Sequence, residues 1–191
     1  PPLMDASIYK VTGECGDYIF YPSRVNHSKR QWMVVEAMRY TKSAVKLVVA
    51  GKGDSPDDEK FLMELIEKYS LQDKVTYLNR FISEEEKVTL FEKALAGIYV
   101  PFDEDSYGYV TLEGFQAGKA MISCKDAGGT DVVVKDGETG YMTDSTPEAI
   151  AEAMDKMYLN KPKTIEMGLN GLPLLEKLGI TWDNVIRRLT E

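Results

Sequence analysis

The chain reads as an α/β protein: a doubly wound parallel sheet, Rossmann-like, with helices on both faces. Two observations carry that reading. Short apolar runs rich in Val, Ile and Tyr alternate with stretches of helical period along the whole chain. Glycines, prolines and capping hydroxyls stand between them, where turns and helix starts need them. No linker or shift of composition divides the 191 residues, so a single domain over 1–191 is expected.

The elements follow in order. Residues 17–21, Asp-Tyr-Ile-Phe-Tyr, form the first expected strand. Residues 29–39 are expected as a helix, with Trp32, Val35 and Met38 at helical spacing on a core face. Residues 45–50, Val-Lys-Leu-Val-Val-Ala, form a buried strand ending at Gly51-Lys-Gly. A helix over 57–69 puts Phe61, Leu62, Leu65, Ile66 and Tyr69 on one face. Residues 75–78 form the third strand. Ser83 and Glu86 have capping-box spacing and open a helix through residue 94, with the Glu84-Glu-Glu run on a solvated face. Residues 97–100 form a strand that stops at Pro101. A helix carrying Glu113 is closed by Gly118, and a strand follows over 120–124. Gly128-Gly and Asp136-Gly read as turns, and residues 141–143 as the last strand. Thr146 as N-cap and Pro147 at the first helical position start a helix to about residue 159. Helices over 164–175 and 183–189 finish the chain, the last anchored by Trp182.

Composition narrows the function. The net charge is −8, so the overall basic footprint of a nucleic-acid binder is missing, and an anionic ligand must be held by a few local cations. Cys15 and Cys124 fit no metal spacing and no disulfide framework, which suits a reducing, cytoplasmic setting. A lone histidine, His27, argues against a histidine-based triad or metal site and reads as an exposed loop residue. No apolar run approaches the ~20 residues of a membrane span, and no signal peptide is visible. The opening Pro-Pro-Leu-Met reads as the middle of a longer protein.

In a doubly wound sheet, ligands bind at the carboxyl ends of the strands. Residues 23–29, 51–53, 79–82 and 103–108 sit there. Arg24 offers a rigid fork for phosphate oxygens, and Lys29 a movable point charge; a solvated basic loop would carry the same residues. Gly51-Lys-Gly allows close backbone approach to a ligand or makes a tight turn, and it lacks the third glycine of a dinucleotide fingerprint. Asp105 and Glu113 stand eight residues apart, with Gly108 between them. Asp105 suits either a helix cap or a ligand to a sugar hydroxyl. Glu113 suits either the helix dipole or a two-oxygen grip on vicinal hydroxyls. The amides of Tyr107, Gly108 and Tyr109 suit a phosphate.

Together these residues resemble the C-terminal, donor-binding half of retaining GT-B glycosyltransferases of family four, also called group one. The resemblance covers nearly all of the chain. It rests on Arg24 with Lys29 five residues on, on Asp105-Ser-Tyr-Gly-Tyr-Val-Thr-Leu-Glu113 with Gly118 after it, and on Gly128-Gly followed by Asp136-Gly-Glu-Thr-Gly. The family has Glu where Asp105 stands, and Gly where Ser23 and Asn79 stand.

The resemblance implies that Arg24 and Lys29 bind the diphosphate and, with Asp105, form the catalytic set. It implies that Glu113 binds the ribose, and that Asp105, Ser106, Tyr107, Gly108 and Tyr109 hold the transferred sugar. Gly51, Asn79, Arg80 and Phe81 belong to the donor pocket, the last three lying against the base largely through backbone. No metal or other cofactor is expected, because the cations replace it. The expected partners are a UDP-, GDP- or ADP-linked sugar and the protein's own N-terminal acceptor half, which would also carry any contact with the cytoplasmic face of a membrane. Alternatives are a non-catalytic nucleotide-sugar-binding module, an epimerase of the same fold, and a dinucleotide-dependent oxidoreductase. The lack of a catalytic histidine and of a full glycine fingerprint counts against the last two.

Overall fold

The computed structural model describes residues 2–104 and 106–191. Asp105, expected in the catalytic set, lies outside the described residues. Six strands form one parallel sheet: β1 (Tyr18–Pro22), β2 (Lys46–Ala50), β3 (Val75–Leu78), β4 (Ala96–Ile98), β5 (Met121–Cys124) and β6 (Gly140–Thr143). Their order is β3-β2-β1-β4-β5-β6. Ile19 pairs with Leu47 on one side and with Ala96 on the other. Consecutive residues Ile19, Phe20 and Tyr21 are all buried, as are Met121 to Cys124, so both faces of the sheet are covered.

The covering helices are α1 (Gln31–Ala37), α2 (Pro56–Lys68), α3 (Glu84–Lys93), α4 (Tyr109–Gln116), α5 (Pro147–Leu159), α6 (Lys161–Lys177) and α7 (Trp182–Thr190). Their starts are written locally. Ser55, Ser83 and Thr146 each accept an amide hydrogen bond from three residues on, and Pro56 and Pro147 stand in the first turn. Gly118, at φ 69°, ends α4. The chain reverses its direction of winding between β1 and β4, and the crevice there is the switch point of the fold.

Three expectations are corrected. The helix expected from residue 29 begins at Gln31. A 3₁₀ turn, His27–Lys29, precedes it, and Arg30 joins the two at φ 55°. Asn26 caps the turn by accepting from the Lys29 amide, and the left-handed Arg30 separates that turn from the helix. The capping box is half made: Ser83 Oγ accepts from the Glu86 amide, while the Glu86 carboxylate turns to Arg80. Trp32 is only half-buried; it stacks on exposed His27 at 5.7 Å, whereas Met38 is in the core. Trp182 does anchor the chain end, donating its indole N–H to the Leu3 carbonyl at 2.8 Å.

Candidate functional site at the carboxyl edge of the sheet

Beyond β1, β2 and β3 lies a cavity of about 430 Å³. Its walls include Ser23, Arg24, Gly51, Phe81, Glu84 and Lys87. The β1 and β2 loops run together here: the Val25 amide donates to the Lys52 carbonyl, and the Asp54 amide to the Val25 carbonyl. Gly51 is required because a Cβ would strike the Ser23 carbonyl oxygen, a backbone atom that cannot move aside. The close approach it permits is therefore by the neighbouring loop, at the edge of the cavity.

The predicted residues divide into three groups. Arg24, Gly51 and Phe81 share the cavity, and Phe81 stands largely exposed at its rim. Arg24 Nη1 meets Asp54 at 2.9 Å. Asn79 and Arg80 do not turn their side chains into it. Asn79 donates to Glu59, and Arg80 forks onto Glu86 at 2.8 and 2.5 Å because α3 presents that carboxylate one turn away.

Lys29 does not line this cavity; it sits at the switch point between β1 and β4. Its ammonium donates to Tyr99 Oη at 2.7 Å and to Glu104. The Glu104 backbone is pinned to the Gly128-Gly turn, where the Gly129 amide donates to the Glu104 carbonyl at 2.9 Å. A Cβ on Gly128 would collide with that backbone, so this glycine pair serves the site and not only the turn. Gly108, at φ 72°, starts α4, and the Tyr99 ring lies where its Cβ would be. Ser106 Oγ accepts from the Gly108 amide at 3.3 Å. Tyr107 packs against the core, and Tyr109 is exposed.

Glu113 forms the third group. It sits in α4, buried, at the wall of a larger cavity of about 720 Å³ that the N-terminal segment closes with Leu3, Ile8 and Tyr9; Tyr109 lines it too. Lys87 Nζ reaches Glu113 Oε1 at 2.6 Å and Glu84 Oε1 at 2.9 Å. Burial pushes the Glu113 carboxyl above the usual carboxylate range, and Lys87 opposes that shift. Burial works against the Lys87 ammonium, but Glu113 and Glu84 outweigh it and leave its pKa raised. Glu84 lines both cavities, so the Glu84–Lys87–Glu113 chain joins the Arg24 cavity to Glu113.

Sequence reasoning missed Lys87. The only trace in the sequence is its place three residues after Glu84 on a capped helix, a spacing common on solvated faces.

The family model "Glycosyl transferases group 1" matches residues 12–171. The chain belongs to this family. It is 35% identical over 135 residues to an alpha-1,3/1,6-mannosyltransferase ALG2 of Dictyostelium discoideum, a match covering 68% of this chain and 31% of that protein. Sucrose-phosphate synthase of Thermosynechococcus elongatus superposes with a TM-score of 0.82 at 20% identity, covering 100% of this chain and 52% of that one. Anabaena HepE, solved with UDP-glucose, superposes at 0.80 with 19% identity, covering 92% and 49%. The fold is thus that of the C-terminal half of a GT-B glycosyltransferase. The group-one chain spans about a third of the length of the curated relative named here. No helix among the described residues is long and apolar enough to cross a membrane.

Proposed function

We propose that this chain is the donor-binding half of a retaining glycosyltransferase. It would move a hexose from a nucleotide-diphosphate sugar to an acceptor in polysaccharide, glycolipid or glycoconjugate synthesis, on the cytoplasmic side. The observation that carries this reading is the continuous row from Arg24 through Lys87 to Glu113 along the carboxyl edge of the sheet. A cation, a flat aromatic face at Phe81 and a buried carboxylate are what a phosphate, a base and a ribose diol require. Family membership and the UDP-glucose held by HepE support it.

In this reading, Arg24 and Lys29 stabilise the departing diphosphate without a metal. Glu113 accepts hydrogen bonds from the ribose hydroxyls, with Lys87 keeping the buried carboxylate ionised. The residues after Asp105, through Tyr109, hold the sugar. As the bond between the anomeric carbon and the phosphate oxygen breaks, the acceptor hydroxyl attacks from the same face and its proton passes to that leaving oxygen. The acceptor half is a separate domain of the parent protein. By itself, the present chain binds donor weakly and transfers nothing.

A second reading is favoured by one contact. Lys29 is already engaged by Glu104 and Tyr99. A non-catalytic nucleotide-sugar-binding module would tolerate that engagement; a transferase must release Lys29 to the diphosphate.

Calorimetric titration with UDP, GDP and ADP tests the proposal. One nucleotide is expected to bind, and Glu113→Ala to abolish that binding. Equal binding by wild type and Glu113→Ala would overturn it. Binding of donor without transfer or hydrolysis by the full-length parent would establish the second reading.

A further inference from the structure

Arg30 has no place in the site as read from the sequence, yet it carries the densest set of contacts at the switch point. Its backbone adopts φ 55° and ψ 31°, a conformation unfavourable for any residue with a side chain. The residue is kept there by what its side chain does. Nε donates to the Val100 carbonyl at 2.7 Å, and Nη2 to the Pro101 carbonyl at 2.5 Å. Nη1 and Nη2 also fork onto the two Asp126 oxygens at 2.9 and 2.8 Å. The guanidinium is almost wholly buried, and the Phe102 ring lies 5.6 Å from it. Around this clamp, the Phe102 amide donates to the Ser28 carbonyl at 2.8 Å and the Asp103 amide to the Asp126 carbonyl at 2.9 Å. The segment held in this way leads directly into Glu104, whose carboxylate faces Lys29.

We propose that Arg30 is a positioning residue for the donor site: by tying the ends of β1, β4 and β5 together through Val100, Pro101 and Asp126, it sets the loop that places the Glu104 carboxylate opposite Lys29. The proposal rests on the donor-binding reading given above. The Arg30 guanidinium is spent on protein groups, so it acts through the loop it holds. Its planar fork meets two carbonyls and a carboxylate at once, a pattern that a lysine ammonium does not reproduce. Loss of the fork frees residues 100–104, which lead toward the α4 N-terminus at Gly108; the donor then meets a loop that is no longer set, and that outweighs the release of Lys29 from Glu104.

The test combines amide hydrogen exchange on the ligand-free chain with titration of UDP, GDP and ADP, for wild type, Arg30→Asn, Arg30→Lys, Asp126→Asn and Glu113→Ala. Asn accepts the left-handed backbone, so Arg30→Asn removes the clamp while preserving the local chain path. The Phe102 and Asp103 amides are expected to exchange at least about tenfold faster in Arg30→Asn and Arg30→Lys, with β2 and β3 amides unchanged. Affinity for the nucleotide bound by wild type is expected to fall about tenfold in the same variants, and millimolar methylguanidinium to restore it in Arg30→Asn where methylammonium does not. If Arg30→Asn does not fold, Asp126→Asn gives the same two readouts, in the same direction and smaller. A folded variant with wild-type exchange at Phe102 and Asp103, or with faster exchange and wild-type affinity, overturns the proposal. If wild type binds none of the three nucleotides, the donor reading fails and the donor role of Arg30 fails with it; exchange still reports whether the clamp exists.

Discussion

The two sides of the carboxyl edge differ in how they hold their charges. On the β4 and β5 side, Arg30 is only 9% exposed in its side chain and is locked to two carbonyls and Asp126, and Lys29 is engaged by Glu104 and Tyr99. On the β2 and β3 side, Arg24 is 75% exposed and meets Asp54, and Arg80 pairs with Glu86 at the surface. Exposed pairs contribute little to stability, because water and salt screen them and ordering two long side chains costs entropy. Buried pairs are costly to break, because the surviving partner is left charged and desolvated. One side of the site is therefore a braced wall. The other is an open cavity whose cation can exchange Asp54 for an incoming phosphate at small cost.

The sharpest test of this contrast is Lys87, which lies where the open cavity meets the buried carboxylate. Lys87→Met leaves Glu113 buried without its partner, and unfolding in denaturant is expected to show a loss of about 3–5 kcal/mol at neutral pH. The loss should shrink as pH falls and Glu113 takes up a proton; an equal loss across the acid range would break the argument. Lys87→Met combined with Glu113→Gln should recover most of the stability.

A smaller effect belongs to Asp126. Arg30 holds its carboxyl down at about 2, against the ordinary 3.8, despite partial burial. A depressed carboxyl stabilises the fold above its unfolded value and loses that contribution as pH falls through the folded one. Wild-type stability is thus expected to drop between about pH 4 and pH 2 by more than that of Asp126→Asn. Parallel curves would show that the β4 side is not braced as described.

The smallest structural effect is expected for Arg24→Ala. Its pair with Asp54 is exposed, so the melting curve should shift by no more than about 0.5 kcal/mol. Nucleotide affinity should nevertheless fall about tenfold or more, since charge-assisted contacts to a phosphate are lost. A large stability loss would mean that the open side is braced too.

Much of this was legible in the residues. The alternation of apolar runs and capped helices yields the strand and helix sequence directly, because burial on both faces demands continuous apolar strands and because Ser55, Ser83 and Thr146 satisfy helix amides within three residues. The helix begins at Gln31 and not at residue 29 as its spacing predicts, because nothing local announces that an arginine will occupy a left-handed position. Only contacts with Val100, Pro101 and Asp126, about 70 residues and more away, hold it there. Gly51, Gly108 and Gly128 were legible as special positions. What each makes room for was not: the partners are Ser23 backbone, the Tyr99 ring and Glu104 backbone, all brought in by other strands.

By itself, the sequence determined the class of fold, the edge of the sheet where a cavity lies beside Arg24 and Gly51, and, through its motifs, the family to which the chain belongs, because periodicity, capping and motif spacing are properties of neighbouring residues. Only the tertiary structure decided which charges meet. It placed Lys29 on Glu104 and Tyr99 and Lys87 on Glu113, and left Arg24 at the surface. Those pairings depend on which strand ends lie side by side. Burial then sets their strength, and both are fixed by long-range packing that no local pattern encodes.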